Sequence, residues 1–291
     1  MRNDVSGAER APQCSADFRL SITKALGDQL SSALRELVPA SLADEALDGL
    51  KSEPGVYQLY RDGSLVYIGK ADKSLPDRLR QHQRKISGRQ NIAAAEIAFT
   101  CLYVAEDFTA VAPETLLIKH YQGDGQAPWN NNGFGNKDPG HNRDTTVVEA
   151  NHFDAYFPID LGAEVELRPG GQPISQLLDS LKRELPYLLR YDKALKAKTG
   201  IATTETVVPA GKATARELFK LVIETLPAGW QLTALPGYAI LYKESKPDAY
   251  NSALSWWRQN EHGQAVETAG RHLVETDSGP APLDMDEDEE D

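Results

Sequence analysis

A predicted β-hairpin constrains the fold of this chain more than any other feature of its sequence. Two short runs of β-branched, aliphatic and aromatic residues, Val56–Tyr60 and Leu65–Ile68, are separated by a turn that contains Asp62-Gly63. An Asp-Gly step supplies the positive φ angles of a tight turn, so the two runs predict adjacent antiparallel strands. Tyr57 and Tyr67 should therefore lie side by side, each near a glycine that allows another group to approach closely.

Patterns on both sides of the hairpin predict an α+β fold. Apolar residues recur at helical spacing between Ser21 and Leu37, and Ser74 followed by Leu75-Pro76-Asp77 is a typical helix start. We expect a strand at Ile97–Val104 and another helix beginning near Pro113. The predicted core is a small mixed or antiparallel three-stranded sheet flanked by helices, with an N-terminal helical arm and a C-terminal α+β extension.

The chain of 291 residues exceeds the usual size of one domain. We predict an N-terminal arm at 1–50, a central domain at 51–165, a small α+β extension at 172–260 and an acidic disordered tail at 261–291. Within the extension, Ile174–Leu195 should be largely helical with an interruption at Pro186, and a second helix should span Ala213–Leu226. A hairpin should follow around Pro236-Gly237, and the pair Trp256-Trp257 is more typical of packing than of base stacking.

The acidic charge of the chain is concentrated at its end. Residues 275–291 hold nine acidic and no basic residues, and so account for most of the formal net charge of -12. A solvated tail is the simpler interpretation, and a segment that mimics DNA and folds back on a basic groove is the alternative.

The sequence contains only two cysteines, too few for a disulfide framework or a cysteine-built zinc site. It has neither an apolar signal segment at its start nor an apolar run long enough to span a membrane. We therefore expect a cytoplasmic protein without a membrane partner.

Basic residues crowd the segment that follows the hairpin. Seven basic residues oppose only Asp72 and Asp77 here, which is typical of a phosphate-binding surface, although charged helices are also commonly just solvated. The seven are Lys70, Lys73, Arg78, Arg80, Arg84, Lys85 and Arg89. Arg78 and His82 are four residues apart and should share one face of the predicted helix.

Two further positions are candidates for chemistry. Glu114 shares a predicted helix face with Leu117, Ile118 and Tyr121, and a carboxylate on an apolar face needs a cation, a hydrogen-bond network or the helix dipole to stabilise it. Asn130 follows Trp129 at the start of a glycine-rich irregular loop, where asparagine is also a common turn residue.

The order of these residues resembles the GIY-YIG nuclease superfamily. The residues that carry the resemblance are Gly55-Val56-Tyr57, Tyr67-Ile68-Gly69, Arg78, Glu114 and Asn130. His82, Trp129-Asn130 and the loop Gly133–Gly140 are similar to the restriction-endonuclease branch typified by Eco29kI. Val56 replaces the eponymous isoleucine, and a longer gap after Glu114 leaves Asn131 and Asn132 as alternatives to Asn130.

The resemblance implies a catalytic role for each of these residues. Glu114 would bind one Mg²⁺, with Mn²⁺ as a substitute, and Arg78 would offset charge on the reacting phosphate. Tyr57 would accept a proton from water, helped by Lys70 or His82, while Tyr67 would orient the water or a phosphate oxygen and Asn130 would hold Tyr57 or the backbone. The expected DNA contacts are Arg80, Arg84, Lys85, Asn136, Lys137, His141 and Arg143.

The predicted function is metal-dependent hydrolysis of double-stranded DNA by a type II restriction enzyme. A palindromic target implies a homodimer, and the same system would include a cognate methyltransferase. The alternatives are a structure-specific repair or mobile-element nuclease and an inactive DNA-binding module. His141, Asn142, Asn151 and His152 suggest an HNH-like metal site only weakly, because the sequence lacks that motif's pairing on a hairpin.

Overall fold

The computed structural model describes residues 22–104, 117–118, 121, 127–135, 140–197 and 199–275, and this part of the chain has the predicted mixed α+β fold. Its α-helices are α1 (Ile22–Arg35), α2 (Asp44–Asp48), α3 (Leu75–Ser87), α4 (Phe153–Tyr156), α5 (Ile174–Glu184) and α6 (Ala215–Thr225). Its strands are β1 (Ala40–Ser41), β2 (Gly55–Arg61), β3 (Ser64–Ala71), β4 (Ile97–Tyr103), β5 (Val148–Glu149), β6 (Glu164–Glu166), β7 (Gly170–Pro173), β8 (Leu189–Tyr191), β9 (Glu205–Val208), β10 (Lys212–Thr214), β11 (Trp230–Ala234), β12 (Ala239–Lys243), β13 (Ser255–Gln259), β14 (Ala265–Ala269) and β15 (Val274–Glu275).

The first sheet is antiparallel and has the strand order β1-β4-β2-β3. The predicted hairpin is its centre, with Asp62 at φ 51° and Gly63 at φ 76° in the turn. The sheet has four strands in the described residues, one more than the three predicted. The additional strand, β1, is two exposed residues long, so it leaves no alternating pattern that sequence inspection can detect.

The two faces of this sheet are covered by different helices. Helix α3 packs on the face that carries Tyr57, and its apolar residues Leu75 and Leu79 are fully buried there. The Ser74 side chain caps α3 by accepting a hydrogen bond from the amide of Asp77 at 3.3 Å. The opposite face packs against Leu34 of α1 and a cluster that includes Leu117 and Tyr121. This arrangement leaves α3 as the element that positions side chains over the two tyrosines.

A second, five-stranded sheet has the order β14-β13-β11-β12-β8, with β8 parallel to β12 and the other neighbours antiparallel. Helices α5 and α6 contribute most of the helical residues to its core, in which Trp257 is fully buried with its ring 5.5 Å from that of Phe219. The packing interpretation of Trp257 is therefore confirmed. The smaller two-stranded pairs are β5 with β15, β6 with β10 and β7 with β9.

The structure shows the interruption predicted at Pro186, because proline lacks the amide proton that a helix interior needs. Helix α5 ends at Glu184, and the residues after Pro186 form β8 and a short 3-10 turn at Lys193–Lys196 instead of more α-helix. Within the segment predicted as the tail from 261, β14 pairs with β13 from Ala265 to Ala269, and β15 pairs with β5. Residues 276–291 lie outside the described residues.

Arg89 links the end of α3 to the second sheet. It is buried, its guanidinium lies 2.8 Å from Asp154 Oδ1, and it donates hydrogen bonds to the carbonyls of Phe157, Pro236 and Gly237. A buried charge needs such partners to offset lost hydration. Among the described helices, none has the length and apolar character needed to cross a bilayer.

Candidate active site

Tyr57 and Tyr67 lie on neighbouring strands, as predicted, with ring centroids 6.1 Å apart. Tyr57 is directly opposite Gly69 in the strand register. A Cβ atom at Gly69 would lie 2.3 Å from Tyr57 Oη, so the residue must be glycine for the phenol to occupy this position. The sequence predicted that another group approaches the chain closely at this glycine. That group is the Tyr57 hydroxyl, which lies directly over Gly69.

Two other glycines near the site also leave space for neighbouring groups. A Cβ at Gly55 would lie 2.1 Å from the carbonyl oxygen of Leu102, so a glycine here allows β4 to pack against β2. A Cβ at Gly135 would lie 2.8 Å from Tyr67 Oη. The glycine-rich loop is thus in contact with the second tyrosine.

Arg78 and His82 face the two tyrosines from α3. The Tyr57 hydroxyl and His82 Nε2 are hydrogen-bonded at 2.6 Å, and Arg78 Nε donates to the same Tyr57 hydroxyl at 3.3 Å. Residues four apart on a helix share a face, so one helix presents both groups to a single phenol. The site therefore contains a phenol, an imidazole and a guanidinium in direct contact.

Burial sets the charge states of the two helix residues. Burial lowers the pKa of His82 well below its usual value, and the nearby charges of Arg78 and Lys85 lower it further. His82 is therefore a neutral imidazole at neutral pH. Burial also acts to lower the pKa of Arg78, but attraction to the oxygens of Tyr57 and Tyr67 outweighs it and raises the pKa, so Arg78 stays a cation.

Phe134, which the sequence prediction missed, forms one wall of the site. Its ring stacks on His82 at a centroid distance of 4.9 Å and meets the ring of Tyr67 edge-on at 4.9 Å. Lys85 Nζ donates to the Phe134 carbonyl at 2.5 Å and lies over the rings of Phe134 and Phe153. An aromatic residue between Gly133 and Gly135 was the only available sequence signal.

Lys85, whose side chain is half-buried, thus holds the glycine-rich loop. Burial lowers its pKa to about 8, and the charge of Arg89 lowers it as well. Its ammonium already donates to the Phe134 carbonyl, which does not favour a contact with DNA phosphates. The DNA contact expected of Lys85 stays a prediction.

Asn130 supports the backbone beside the site. Its Oδ1 accepts from the amide of Ile68 at 2.9 Å, and its Nδ2 donates to the carbonyl of Ile68 at 2.8 Å. Because β3 is at the edge of the sheet, Asn130 acts as a short extra strand partner that fixes the backbone between Tyr67 and Gly69. Of the two alternatives, Asn132 accepts from the Phe134 amide at 3.4 Å and Asn131 is exposed.

Lys70 does not lie beside Tyr57. Successive side chains of a strand point to opposite faces, so Lys70 points away from the face that Gly69 and Tyr57 share. Its ammonium is exposed and pairs with Asp72 at 2.8 Å. Of the two groups expected to assist Tyr57, the structure brings only His82 to it.

The other predicted DNA contacts on α3 are engaged within the chain. Arg80 pairs with Asp48 at 2.5 Å and with Asp77 at 3.8 Å, while Arg84 donates to the carbonyls of Arg183 and Leu185. Glu114, Asn136 and Lys137 lie outside the described residues.

His141 and Arg143 lie in one exposed turn after the glycine-rich loop. His141 Nδ1 is 3.0 Å from Asp144 Oδ2, and its ring contacts Tyr242 of the second sheet. His152 instead accepts a hydrogen bond from the amide of Asp154. These separate partners do not favour the HNH-like alternative.

The described side chains do not by themselves fit a resident metal ion. Within them, no group of three or more His, Cys, Asp or Glu residues is arranged to hold a metal. Magnesium prefers oxygen ligands, whereas the groups that meet Tyr57 are an imidazole and a guanidinium. The one predicted protein ligand is therefore Glu114, in the part of the chain that is not described.

Residues 60–155 match the family model of the Eco29kI GIY-YIG domain. The matched segment contains Tyr67, Arg78, His82, Asn130 and the glycine-rich loop, and it begins three residues after Tyr57. A search of curated proteins gave no match to the chain. This segment is a GIY-YIG domain of the Eco29kI restriction-endonuclease branch, as the sequence motifs indicated.

Proposed function

We propose that this chain is a divalent-metal-dependent DNA endonuclease that hydrolyses phosphodiester bonds, and that it is a site-specific type II restriction enzyme. The observation that carries the proposal is the contact of Tyr57 with both His82 and Arg78 on one sheet face, inside a domain of the GIY-YIG type. A general base and a nearby cation both favour hydrolysis of a phosphodiester, because the base accepts a proton from water and the cation offsets charge on the phosphate.

The geometry supports a two-proton route to an attacking water. An isolated tyrosine has a pKa near 10 and is a poor general base at neutral pH. His82 Nε2, which is hydrogen-bonded to the phenol at 2.6 Å, would accept the Tyr57 proton as the phenol oxygen accepts a proton from water. Burial disfavours a protonated His82, so this transfer would follow the opening of the site to water and substrate. The oxygen of that water forms the new bond to phosphorus, the bond to the 3′ oxygen breaks, and solvent protonates the leaving oxygen.

Arg78 contributes by charge. Its guanidinium stays protonated, and without substrate it contacts the phenol oxygen. The same charge offsets the negative charge that builds on the phosphate, an effect typically worth about 3 kcal/mol in comparable sites. Tyr67, beside it, is in position to orient the water or a phosphate oxygen.

Substrate access requires a local rearrangement. Tyr57 has no exposed surface, and Arg78, which contacts its hydroxyl, is half-buried. We propose that Arg78 turns toward the phosphate as DNA enters, which opens the phenol to water. Mg²⁺ bound by Glu114, or Mn²⁺ in its place, would supply charge stabilisation at the leaving oxygen.

The remaining parts of the proposal concern assembly and setting. Cutting both strands of a palindrome calls for a homodimer, and a cell that holds such an enzyme needs a methyltransferase acting on the same sequence. The proposed location is the cytoplasm, and the proposed substrate is double-stranded DNA.

The test is digestion of supercoiled plasmid by the purified chain with Mg²⁺, with Mn²⁺ and with a chelator. We expect discrete bands with either ion and no cutting with the chelator, and sequencing of the ends would give the target. Random nicking or cutting only at branched DNA would overturn the restriction-enzyme proposal. No cutting of any DNA with either ion would leave a DNA-binding module as the function.

A further inference from the structure

A groove on the C-terminal part of the molecule carries basic side chains that sequence inspection did not single out. It encloses about 570 Å³, and its lining includes Lys182, Lys193, Lys196 and Lys243. We call it the C-terminal groove. Its acidic lining residues are Asp192 and Glu244.

Topology brings these four lysines together from distant parts of the sequence. Strands β8 and β12 are parallel neighbours, so their carboxyl ends meet at the same edge of the second sheet. Lys193 and Lys196 lie in the turn after β8, and Lys243 is the last residue of β12. Lys182 lies in the last turn of α5.

The lysine charges in the groove are not neutralised by neighbouring carboxylates. All four lysines are exposed, and none of them forms an ion pair in the part of the chain that the structure describes. Asp192 Oδ1 accepts the amide of Ala194, and Glu244 accepts the Tyr250 hydroxyl. Both carboxylates keep their charge, but the four lysines outnumber them, so the groove lining is positively charged on a strongly acidic protein.

Two features place the groove near the candidate active site, a hydrogen bond from α3 and a short chain segment. Arg84, two residues after His82 on α3, donates to the carbonyl of Arg183, the neighbour of Lys182. His141 lines the groove and follows Phe134 by seven residues, which span at most about 25 Å. This upper limit on the distance between Phe134 and His141 is shorter than one turn of a DNA duplex, about 34 Å.

The exposure of the lysines indicates the class of ligand. A small anion gains little from one exposed ammonium, because water and salt screen such a contact. A polyanion gains from many such contacts at once, because each neutralised phosphate releases counterions. Four unpaired, exposed lysines along an open groove suit a chain of phosphates better than a single one.

We propose that the C-terminal groove binds the phosphate backbone of the same DNA duplex whose scissile bond enters the Tyr57 site. This inference rests on the proposed function for its ligand. The contact adds affinity without reading sequence, because phosphates carry no base information.

The test compares Lys193→Gln/Lys196→Gln with a control that has the same charge change, Lys212→Gln/Lys220→Gln, at exposed positions on β10 and α6. Binding of a labelled duplex is followed by fluorescence anisotropy with chelator present, between about 50 and 200 mM salt. The groove variant should bind roughly tenfold more weakly, and its slope of log affinity against log salt should fall by about 1 to 2, while the control matches the wild type.

Equal affinities and slopes for the groove variant and its control would overturn the inference. So would a wild type that binds no duplex, or a groove variant that loses affinity only for RNA. Failure of the proposed function gives a different result, namely duplex binding that depends on the groove lysines without cleavage by any metal. If the wild type cleaves DNA but the groove variant binds the duplex as tightly as the control, the inference about the groove is wrong and the proposed function stands.

Discussion

Helix α3 and the C-terminal groove both carry clustered basic residues, but most of those around α3 have partners within the chain, whereas the lysines of the groove are exposed to solvent. The sequence segment around α3 is dense in basic residues, yet Arg80 pairs with Asp48, Arg89 with Asp154, and Lys85 with a backbone carbonyl. The groove lysines come from scattered positions and have no ion pair in the described chain.

The difference shows that basic residues close in sequence need not form a positive surface. Surface potential depends on the charges that remain without opposite neighbours, and the positions of those neighbours are set by long-range packing. In this molecule α3 builds the chemistry of the site, and the groove presents charge to solvent. The comparison predicts that cleavage and DNA affinity can be separated by substitution.

The largest expected effect is the loss of cleavage in Tyr57→Phe. Removing the hydroxyl that contacts His82 and Arg78 should lower plasmid cleavage by about 10²–10⁴-fold, the usual contribution of a general base, with unchanged duplex affinity. The matched control is Tyr60→Phe on the same strand, whose hydroxyl donates to Gln58. Equal rates for the two variants would remove Tyr57 from the chemistry.

Gly69→Ala should have the next largest effect. The new Cβ would lie 2.3 Å from Tyr57 Oη, so the phenol must move away from His82, and we expect about 100-fold slower cleavage with retained fold and affinity. Gly49→Ala is the control, because Gly49 has φ -77° and its nearest neighbouring atom is 3.6 Å away. Circular dichroism and cleavage rates of both variants would show whether strand register or phenol position is affected.

A smaller effect concerns pH and stability. The pKa of folded His82 is lowered, mainly by burial, so as pH falls below about 6.5 the unfolded chain binds a proton that the folded chain does not. This histidine therefore destabilises the fold by up to ~1.4 kcal/mol per pH unit as pH falls from about 6.5 toward the folded pKa. Above about pH 6.5 both the folded and the unfolded chain hold His82 neutral, so this histidine no longer changes the stability with pH.

The free energy of unfolding, measured with urea at pH 7.5 and at pH 5.5, should therefore fall less between these two pH values in His82→Gln than in the wild type. His262→Gln, at an exposed turn, is the control and should lose as much as the wild type. An unchanged pH dependence in His82→Gln would mean that the folded protein protonates His82 readily.

The smallest expected effect is that of Arg80→Gln on DNA affinity. Arg80 already pairs with Asp48 and Asp77, so a phosphate gains little from it, and we expect a change of about twofold or less. Anisotropy in the salt series used for the groove variant gives a direct comparison. An effect equal to that of Lys193→Gln/Lys196→Gln would show that α3 contributes as much charge to DNA as the groove.

Sequence patterns predicted the part of the site that depends on local geometry. The Asp62-Gly63 turn sets the hairpin, and helical spacing puts Arg78 and His82 on one face. The family resemblance nominated Asn130, with Asn131 and Asn132 as alternatives, but the two hydrogen bonds from Asn130 to Ile68 were not predictable. Lys70 was nominated by its proximity in sequence, and the alternation of the strand points it to the other face.

Local sequence patterns are enough to predict the hairpin and the capped helix α3, because each depends on neighbours within a few residues, whereas the candidate site residues came from their resemblance to a known family. Long-range packing stacks Phe134 on His82, engages Arg84 and Arg89 with the C-terminal part, and brings four distant lysines to one groove. Those contacts join residues far apart in the chain, and no local periodicity encodes them.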